Sequence, residues 1–257
     1  MHNTLNKIVD DILEKDTRRK REARVSAVRQ ITAKTKRITL SGDEVDKFIA
    51  DPRTLEPASW IKVFFPWRDT LAGRAYTLSG IDKFARTFDI DMVLHGEGPA
   101  SDWARDAIPG DKLGFAGPCS GGFRLLPQTR WLLLLGDETA LPAMRTILAS
   151  LSEPLPVLWF AEVSDAQEIQ TVDYPFLRVN SWQIRTRHFD SVMNSPLVQA
   201  VSHFVLPAGQ GQVWIACECQ IAAYLKDRFI NELDIPKAAL FAKGYWKKGE
   251  SNFKGAI

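Results

Sequence analysis

The 257-residue chain lacks the features that mark membrane, secreted and nucleic-acid-binding proteins. No uninterrupted apolar segment approaches the roughly 20 residues that span a bilayer, and the polar residues 1–24 contain no apolar core of a secretory signal. The net charge is only +2, because 33 basic residues balance 31 acidic ones, so no general attraction to nucleic acid or membrane is expected. We therefore expect a cytoplasmic protein without membrane or nucleic-acid partners. Since nothing in the sequence requires a second chain, we also expect a monomer.

Cysteine is scarce as well. Three cysteines cannot form a disulfide framework, and the odd number favours reduced thiols. Cys217 and Cys219 form a C-x-C pair without a second pair or a nearby histidine, so we expect structural thiols and no metal site.

The N-terminal extension, residues 1–20, begins with apolar residues at helical spacing, which predicts a short amphipathic helix over residues 1–16. The basic run "TRRKREAR" follows. We interpret it as a solvated linker, and the alternative of a nucleic-acid contact is disfavoured by the near-neutral net charge.

In the rest of the chain, the hydrophobic pattern changes once, after residue 127. Residues 21–127 contain short runs rich in Val, Ile, Thr and aromatics, such as "SWIKVFFPW" and "TFDIDMVLHG", which predict an antiparallel β-barrel domain. Residues 128–257 contain continuous apolar runs followed by helical patterns, beginning with "RWLLLLG", which predict a small parallel-sheet α/β domain. Only a helix within a longer connection is indicated over residues 164–206.

The stretch "RAYTLSG" offers an arginine, a tyrosine and a threonine, which we expect on one face of a strand. Arg74 could hold a phosphate, Tyr76 could stack on a flat ring and Thr77 could bond to the ring's polar edge. A cross-strand salt bridge and a surface tyrosine are the alternative.

The stretch "LHGEGPASDWA" predicts a turn at Gly96 and Gly98, with Ser101 or Asp102 capping a helix that begins near Trp103. Such a loop can present backbone N–H groups to a phosphate. His95, which precedes the turn, could equally be a structural histidine.

The stretch "GDETALPAM" follows the first apolar strand, where Gly136 permits a tight turn. Asp137, Glu138 and Thr139 then lie at the carboxyl end of the strand, where ligands of open α/β sheets bind. In the alternative, Asp137 and Thr139 satisfy the backbone of their own capped helix.

Together with "VWIACE" and "GYWKKG", these motifs resemble, in order and spacing, the siderophore-interacting protein family of ferric-siderophore reductases, itself similar to ferredoxin reductases. The resemblance runs from about Arg24 to Gly249. It implies an FAD-binding barrel followed by a nicotinamide-binding α/β domain. It also implies electron transfer from NADH or NADPH through FAD to the iron(III) of a siderophore, with no catalytic side chain, no protein metal site and iron(II) released in the cytoplasm.

The resemblance also assigns site residues. The cofactor would meet Arg74, Tyr76, Thr77, Asp91, Val93, His95, Ala100, Ser101, Trp103, Asp137, Glu138, Thr139 and Ala140. Because ferric siderophores are often anionic, a local cationic surface is needed, and Lys62, Lys247 and Lys248 are its candidates.

Two positions depart from the family pattern. Ser79 stands where the family often has an arginine, and Cys217 stands where it usually has a glycine, so that its Cβ would crowd an approaching nicotinamide. These departures leave an alternative open, in which the protein binds flavin but only docks a siderophore or takes electrons from a ferredoxin.

Overall fold

A computed structural model of the chain describes residues 20–67, 70–185, 191–250 and 253. The amphipathic helix expected over residues 1–16 lies outside these residues. The chain divides into two compact units, Met1–Gly121 and Gly122–Ile257, whereas the sequence pattern placed the boundary after residue 127. Residues 122–127 are tied to the second unit by Gln212, whose side chain accepts from Leu126 N (3.0 Å) and donates to Arg124 O (2.8 Å).

The first unit is a closed six-stranded barrel with neighbouring strands antiparallel, in the order β1-β2-β5-β4-β3-β6. Among the described residues, two α-helices accompany it. The elements are β1 (Arg21–Thr32), β2 (Thr35–Ser41), α1 (Asp43–Ile49), β3 (Trp60–Trp67), β4 (Thr70–Asp82), β5 (Thr87–Val93), α2 (Pro99–Asp106) and β6 (Lys112–Cys119). The predicted antiparallel barrel is confirmed.

The barrel core contains a cluster of three phenylalanines among aliphatic side chains. Phe48 of α1 packs against Phe88 and Phe115, with ring centroids 5.3 and 5.1 Å apart. All three rings are fully buried, and removing a side chain of this size from water stabilises the fold by about 1.5–3 kcal/mol each. The short α1 is therefore held by packing, since seven residues are too few for a helix that is stable alone.

The basic run "TRRKREAR" was expected to be a linker, and this is wrong for its described part. Arg21–Arg24 form the start of β1 and pair with β6, and Arg21 Nη1 donates to Gly117 O (3.0 Å). The strand is accommodated because Ala23 supplies a buried apolar side chain between charged neighbours.

The second unit is a five-stranded parallel sheet in the order β11-β10-β7-β8-β9. Its elements are β7 (Trp131–Asp137), α3 (Leu141–Ala149), β8 (Val157–Val163), β9 (Leu177–Ile184), α4 (Pro196–Ser202), β10 (Gly211–Glu218), α5 (Cys219–Asn231) and β11 (Leu240–Trp246). The predicted parallel α/β unit is confirmed. No described helix in either unit is long and apolar enough to cross a bilayer.

The region 164–206, where only a helix was expected, contains the strand β9 as well as the helix α4. β9 lies at the sheet edge, and Arg178, Asn180 and Ile184 along it are exposed. An edge strand needs no continuous apolar run, so the pattern that identified β7, β8 and β10 was absent.

Candidate functional site

Strand β4 of the barrel changes its neighbour half-way along. Residues Thr70–Thr77 pair with β3, whereas Leu78–Asp82 pair with β5. β5 pairs with β4 only through Ile90, and its last residues, 91–93, pair with β2 alone. Residues 74–77 and 91–93 therefore diverge, and their facing backbone groups do not pair with each other. We call this opening the β4–β5 fork.

The side chains of "RAYT" lie on both faces of β4. Arg74 and Tyr76 stand opposite Val63 and Ile61, which are buried in the barrel, so they lie on the inner face. Thr77 stands opposite Trp60 on the outer face. The expectation that all three share a face is wrong, because Thr77 follows Tyr76 directly and successive side chains alternate.

Tyr76 anchors the inner side of the fork. Its half-buried ring packs edge-on against Phe65, with ring centroids 5.9 Å apart. The Phe65 ring in turn packs against Trp103 of α2, with centroids 5.4 Å apart. Burial raises the pKa of the Tyr76 phenol, an effect that Arg74 opposes. The phenol is therefore neutral, and its hydroxyl has no hydrogen-bond partner within the described chain.

Three further polar groups of the fork are available to a ligand. Thr77 is buried, yet its hydroxyl has no hydrogen-bond partner among the described residues. Arg74 donates one bond, to Gly73 O (3.0 Å), and forms no ion pair with any described residue. The exposed His95 ring is likewise unpartnered within the described ranges.

The loop after β5 is shaped by two glycines. Gly96 and Gly98 have φ angles of 61° and 142°, which side-chain-bearing residues rarely adopt. A Cβ at either position would meet nothing within 4 Å. This open loop leads directly into α2.

The helix α2 begins at Pro99, so the predicted cap at Ser101 or Asp102 for a helix starting near Trp103 is wrong. Proline suits the first helical turn because it lacks an N–H group that would need a partner. Gly98 is the N-cap and provides no side-chain bond. Ser101 Oγ instead donates to His95 O (3.4 Å), and Asp102 accepts from Gly98 N (3.3 Å). The helix terminus therefore keeps N–H groups that suit a phosphate.

Ala100 and Trp103 of α2 are half-buried and pack against the barrel core. Across the fork, Val93 is half-buried at the end of β5. Asp91 differs from the other candidates because its carboxylate is already engaged. It accepts from Arg37 Nε (2.7 Å), Arg37 Nη2 (2.9 Å) and Ser79 Oγ (3.2 Å).

The second group of candidates lies at the carboxyl end of β7. Asp137 is 1% exposed, and its Oδ1 accepts from Thr139 N (3.0 Å) and Thr139 Oγ1 (2.5 Å). Its Oδ2 accepts from Trp246 Nε1 (2.7 Å). Asp137 and Thr139 therefore bond to each other, but neither caps α3, whose N-cap is Ala140 without a side-chain bond. Ala140 beside them is fully buried.

Glu138 is held by Arg185, whose Nη1 and Nη2 donate to its two oxygens at 2.9 and 2.6 Å. Arg185 Nε also donates to Glu162 Oε1 at 2.6 Å. Burial and Asp137 raise the pKa of Glu138 against the influence of Arg185. Burial acts to lower the pKa of Arg185, but Glu138, Asp137 and Glu162 outweigh it and raise that pKa. These residues meet at the carboxyl end of the sheet rather than at its outer strand. We call this group the sheet-edge network: Asp137, Glu138, Glu162, Arg185 and Trp246.

Gly136 lies within β7 and not in the turn that the sequence predicted, and it allows α3 to pack closely on the strand. A Cβ at Gly136 would lie 2.6 Å from Met144 Sδ and 2.8 Å from Ala140 Cβ. Cys217 is 1% exposed and lies in the core cluster with Ile221 and Phe229. Burial raises the pKa of its thiol.

The three candidate lysines have different settings. The Lys62 side chain covers Gly73, where an added Cβ would lie 2.2 Å from Lys62 Cε. Lys247 Nζ pairs with Glu250 at 2.9 Å. Lys248 is exposed, and its backbone N–H donates to Glu218 Oε1 at 3.2 Å. Lys62 belongs to the barrel unit, and the other two belong to the second unit.

Sequence reasoning missed Arg37 and Arg185, although each organises several carboxylates. Both lie in segments without a recognisable motif, and their partners are distant in sequence. The described residues contain no group of three or more His, Cys, Asp or Glu side chains placed to hold a metal ion.

Two family models match the chain. The siderophore-interacting FAD-binding domain matches residues 68–122, and the siderophore-interacting protein model matches residues 129–249. Together they cover more than half of the chain.

Individual relatives agree with these matches. The chain is 29% identical over 238 residues to the ferric vibriobactin reductase ViuB of Vibrio cholerae, covering 84% of each protein. It is also 29% identical over 240 residues to the mycobactin import ATP-binding/permease protein IrtA of Mycolicibacterium smegmatis. That match covers 91% of this chain but spans only 26% of the IrtA length.

Solved structures give the same fold. A siderophore utilization protein from T. fusca superposes with a TM-score of 0.80 at 29% identity, covering 92% of this chain and 95% of that one. The ferredoxin reductase of carbazole 1,9a-dioxygenase has a TM-score of 0.67 at 18% identity, with coverage of 88% and 68%, and confirms the ferredoxin-reductase-like fold. The chain belongs to the siderophore-interacting protein family.

Proposed function

We propose that the protein binds FAD at the β4–β5 fork and acts as a ferric-siderophore reductase. The observation that carries this proposal is the set of unpartnered polar groups around the fork, namely the hydroxyls of Tyr76 and Thr77, the Arg74 guanidinium and the uncapped start of α2. None of these side-chain atoms is a fully buried atom without a partner, so they are accessible to a ligand. A site that leaves several unpartnered in one place suits a polar, flat ligand.

The residues fit FAD in chemistry. Arg74 and the start of α2 suit the pyrophosphate, because one supplies a guanidinium and the other supplies backbone N–H donors. Tyr76 offers an aromatic ring, and Thr77 offers a hydroxyl to the polar edge of a flat heterocycle. When bound, FAD would supply the chemistry that converts two-electron donation into single-electron reduction of iron(III).

We further propose NADH or NADPH as the electron donor and an anionic ferric siderophore as the substrate. Oxygen-rich chelators favour iron(III), so reduction weakens their hold on the metal. Lys62 in the first unit and Lys247 and Lys248 in the second would attract the chelate. The protein would act as a cytoplasmic monomer that releases iron(II).

The test is anaerobic mixing of the flavin-loaded protein with NADH or NADPH, followed by addition of a ferric chelate. Bleaching of the flavin absorbance by either nucleotide is expected, and the chelate should restore the absorbance while an iron(II)-specific dye develops colour. Absence of bleaching by both nucleotides would reject a nicotinamide-dependent reductase.

One observation favours a second candidate, an electron-transfer flavoprotein supplied by a ferredoxin or another donor. Asp137, Glu138 and Thr139, at the edge where a nicotinamide nucleotide would bind, are engaged by residues of their own unit. If nicotinamides leave the flavin oxidised but photochemically reduced protein still reduces the chelate, this second candidate is supported.

A further inference from the structure

We propose that Arg37 is a positioning residue that, through Asp91 and Ser79, sets the geometry of the β4–β5 fork for FAD. The inference rests on the proposed binding of FAD at the fork. It assigns a role to a strand β2 residue that is not itself one of the residues lining the opening.

The contacts form a chain across three neighbouring strands. Arg37 on β2 makes a two-bond ion pair with Asp91 on β5, at 2.7 and 2.9 Å. Asp91 Oδ1 also accepts from Ser79 Oγ on β4 at 3.2 Å. The Asp91 side chain is only 4% exposed, so its charge depends on Arg37 for compensation. Arg37 therefore determines whether Asp91 can hold β4.

The point that this chain holds is the vertex of the fork. The β4–β5 register shifts between Leu78 and Gly80, which leaves Ser79 as a bulged residue. Bulges redirect the strand and commonly adjoin binding sites. Thr77 and Tyr76 lie two and three residues before Ser79, on the diverging side, so the angle of the bulge affects where their free hydroxyls point.

Asp91 shares Arg37 with a second carboxylate. Its neighbour Asp89 lies 3.7 Å from Arg37 Nη1 and receives a bond from Thr39 Oγ1 at 2.7 Å. Two carboxylates therefore lie beside an opening proposed to take an anionic dinucleotide. Without Arg37 they would repel the FAD phosphates as well as release the bulge.

The experiment measures the dissociation constant of FAD by flavin fluorescence and the apoprotein melting temperature for the wild type, Arg37→Ala, Asp91→Asn and the double variant. Arg37→Ala should weaken FAD binding by about tenfold or more, because it leaves a buried carboxylate unpaired. The double variant has no such charge, so its dissociation constant for FAD should return to within about threefold of the wild-type value. The visible circular dichroism of bound FAD should change in Arg37→Ala and return in the double variant.

A merely structural role predicts a different result. If Arg37→Ala lowers the melting temperature but folded protein binds FAD with unchanged affinity, the proposal is overturned. Ser79→Ala removes the last bond of the chain with little risk to folding, and a loss of about threefold in FAD affinity is expected. Unchanged affinity there would also overturn it.

Arg53→Ala is the matched control, because it breaks an exposed Arg53–Asp51 ion pair of the same unit that shares no hydrogen bond with Arg37, Asp91 or Ser79. Its FAD affinity should equal that of the wild type, and a loss as large as that of Arg37→Ala would overturn the proposal. If wild-type protein does not bind FAD, the proposed function itself fails, whereas wild-type binding with normal binding by Arg37→Ala rejects only the role of Arg37.

Discussion

The β4–β5 fork and the sheet-edge network contain similar residue types in opposite bonding states. At the fork, the hydroxyls of Tyr76 and Thr77 have no partner within the described chain. At the sheet edge, Asp137, Glu138 and Thr139 all bond to residues of their own unit. Buried polar groups are costly unless they are paired. The fork groups are accessible to a ligand, because none of their side-chain atoms is a fully buried atom without a partner, whereas the sheet-edge groups are bonded within their own unit.

Because of this difference, substitutions in the two regions should have different effects, on ligand affinity in one and on protein stability in the other. A substitution at the fork should reduce ligand affinity and change the fold little, because few internal bonds are lost. A substitution in the sheet-edge network should destabilise the second unit, because each removed partner leaves a buried charge uncompensated.

The largest effect is expected for Arg185→Ala. Glu138 and Glu162 would lose their cation while remaining buried, so the free energy of unfolding should fall by about 3–5 kcal/mol. Urea unfolding followed by tryptophan fluorescence measures this. Arg178→Ala is the matched control, since Arg178 is exposed on β9, the strand that Arg185 directly follows. Equal stability of the two variants would contradict the account of the sheet edge.

The second effect concerns the aromatic side of the fork. Tyr76→Ala should weaken FAD binding by about tenfold or more, because stacking on an aromatic ring contributes roughly 1–3 kcal/mol. Tyr76→Phe keeps the ring and should lose only the contribution of one hydrogen bond, about 1 kcal/mol. Flavin content and visible spectra of both variants provide the measurement. An unaltered spectrum in Tyr76→Ala would remove this residue from the site.

The sharpest contrast within the barrel comes from two threonines on its outer face. Thr77→Val removes an unpartnered hydroxyl, so FAD affinity should fall about fivefold with no loss of stability. Thr39→Val removes a hydroxyl that donates to Asp89 at 2.7 Å. It should lower stability by about 1 kcal/mol and leave FAD affinity unchanged. Calorimetry and FAD titration of both variants decide this, and the reverse result would refute the assignment of Thr77.

The smallest effects are expected for the lysines, one from each unit. Lys62→Ala and Lys247→Ala should raise the KM for an anionic ferric chelate about threefold and leave flavin reduction unchanged, because peripheral charges mainly affect encounter. Steady-state kinetics with an anionic and a neutral chelate test this. Identical kinetics for both chelates in all proteins would exclude cationic docking.

Much of the fold could be predicted because burial imposes patterns along the chain. The continuous apolar run of β7 reflects a strand covered on both faces, and the alternation in β5 reflects a barrel wall. The edge strand β9 was not predicted, because its exposed residues interrupt the apolar pattern.

The candidate site was predictable only in part. The residues of the fork could be named from "RAYT" and "HGEGPASDW", but their faces depend on register. The partner change of β4, the bulge at Ser79 and the ion pair of Arg37 with Asp91 arise from contacts between strands. No local spacing encodes such contacts, so they appear only once the barrel is closed.

The most direct test of the account is a fluorescence titration of FAD into wild-type apoprotein. If the fork is the flavin site, binding should saturate at about one FAD per chain, since the barrel has a single β4–β5 opening. Flavin fluorescence should be quenched as the ring meets Tyr76. Absence of saturable binding would contradict the central claim.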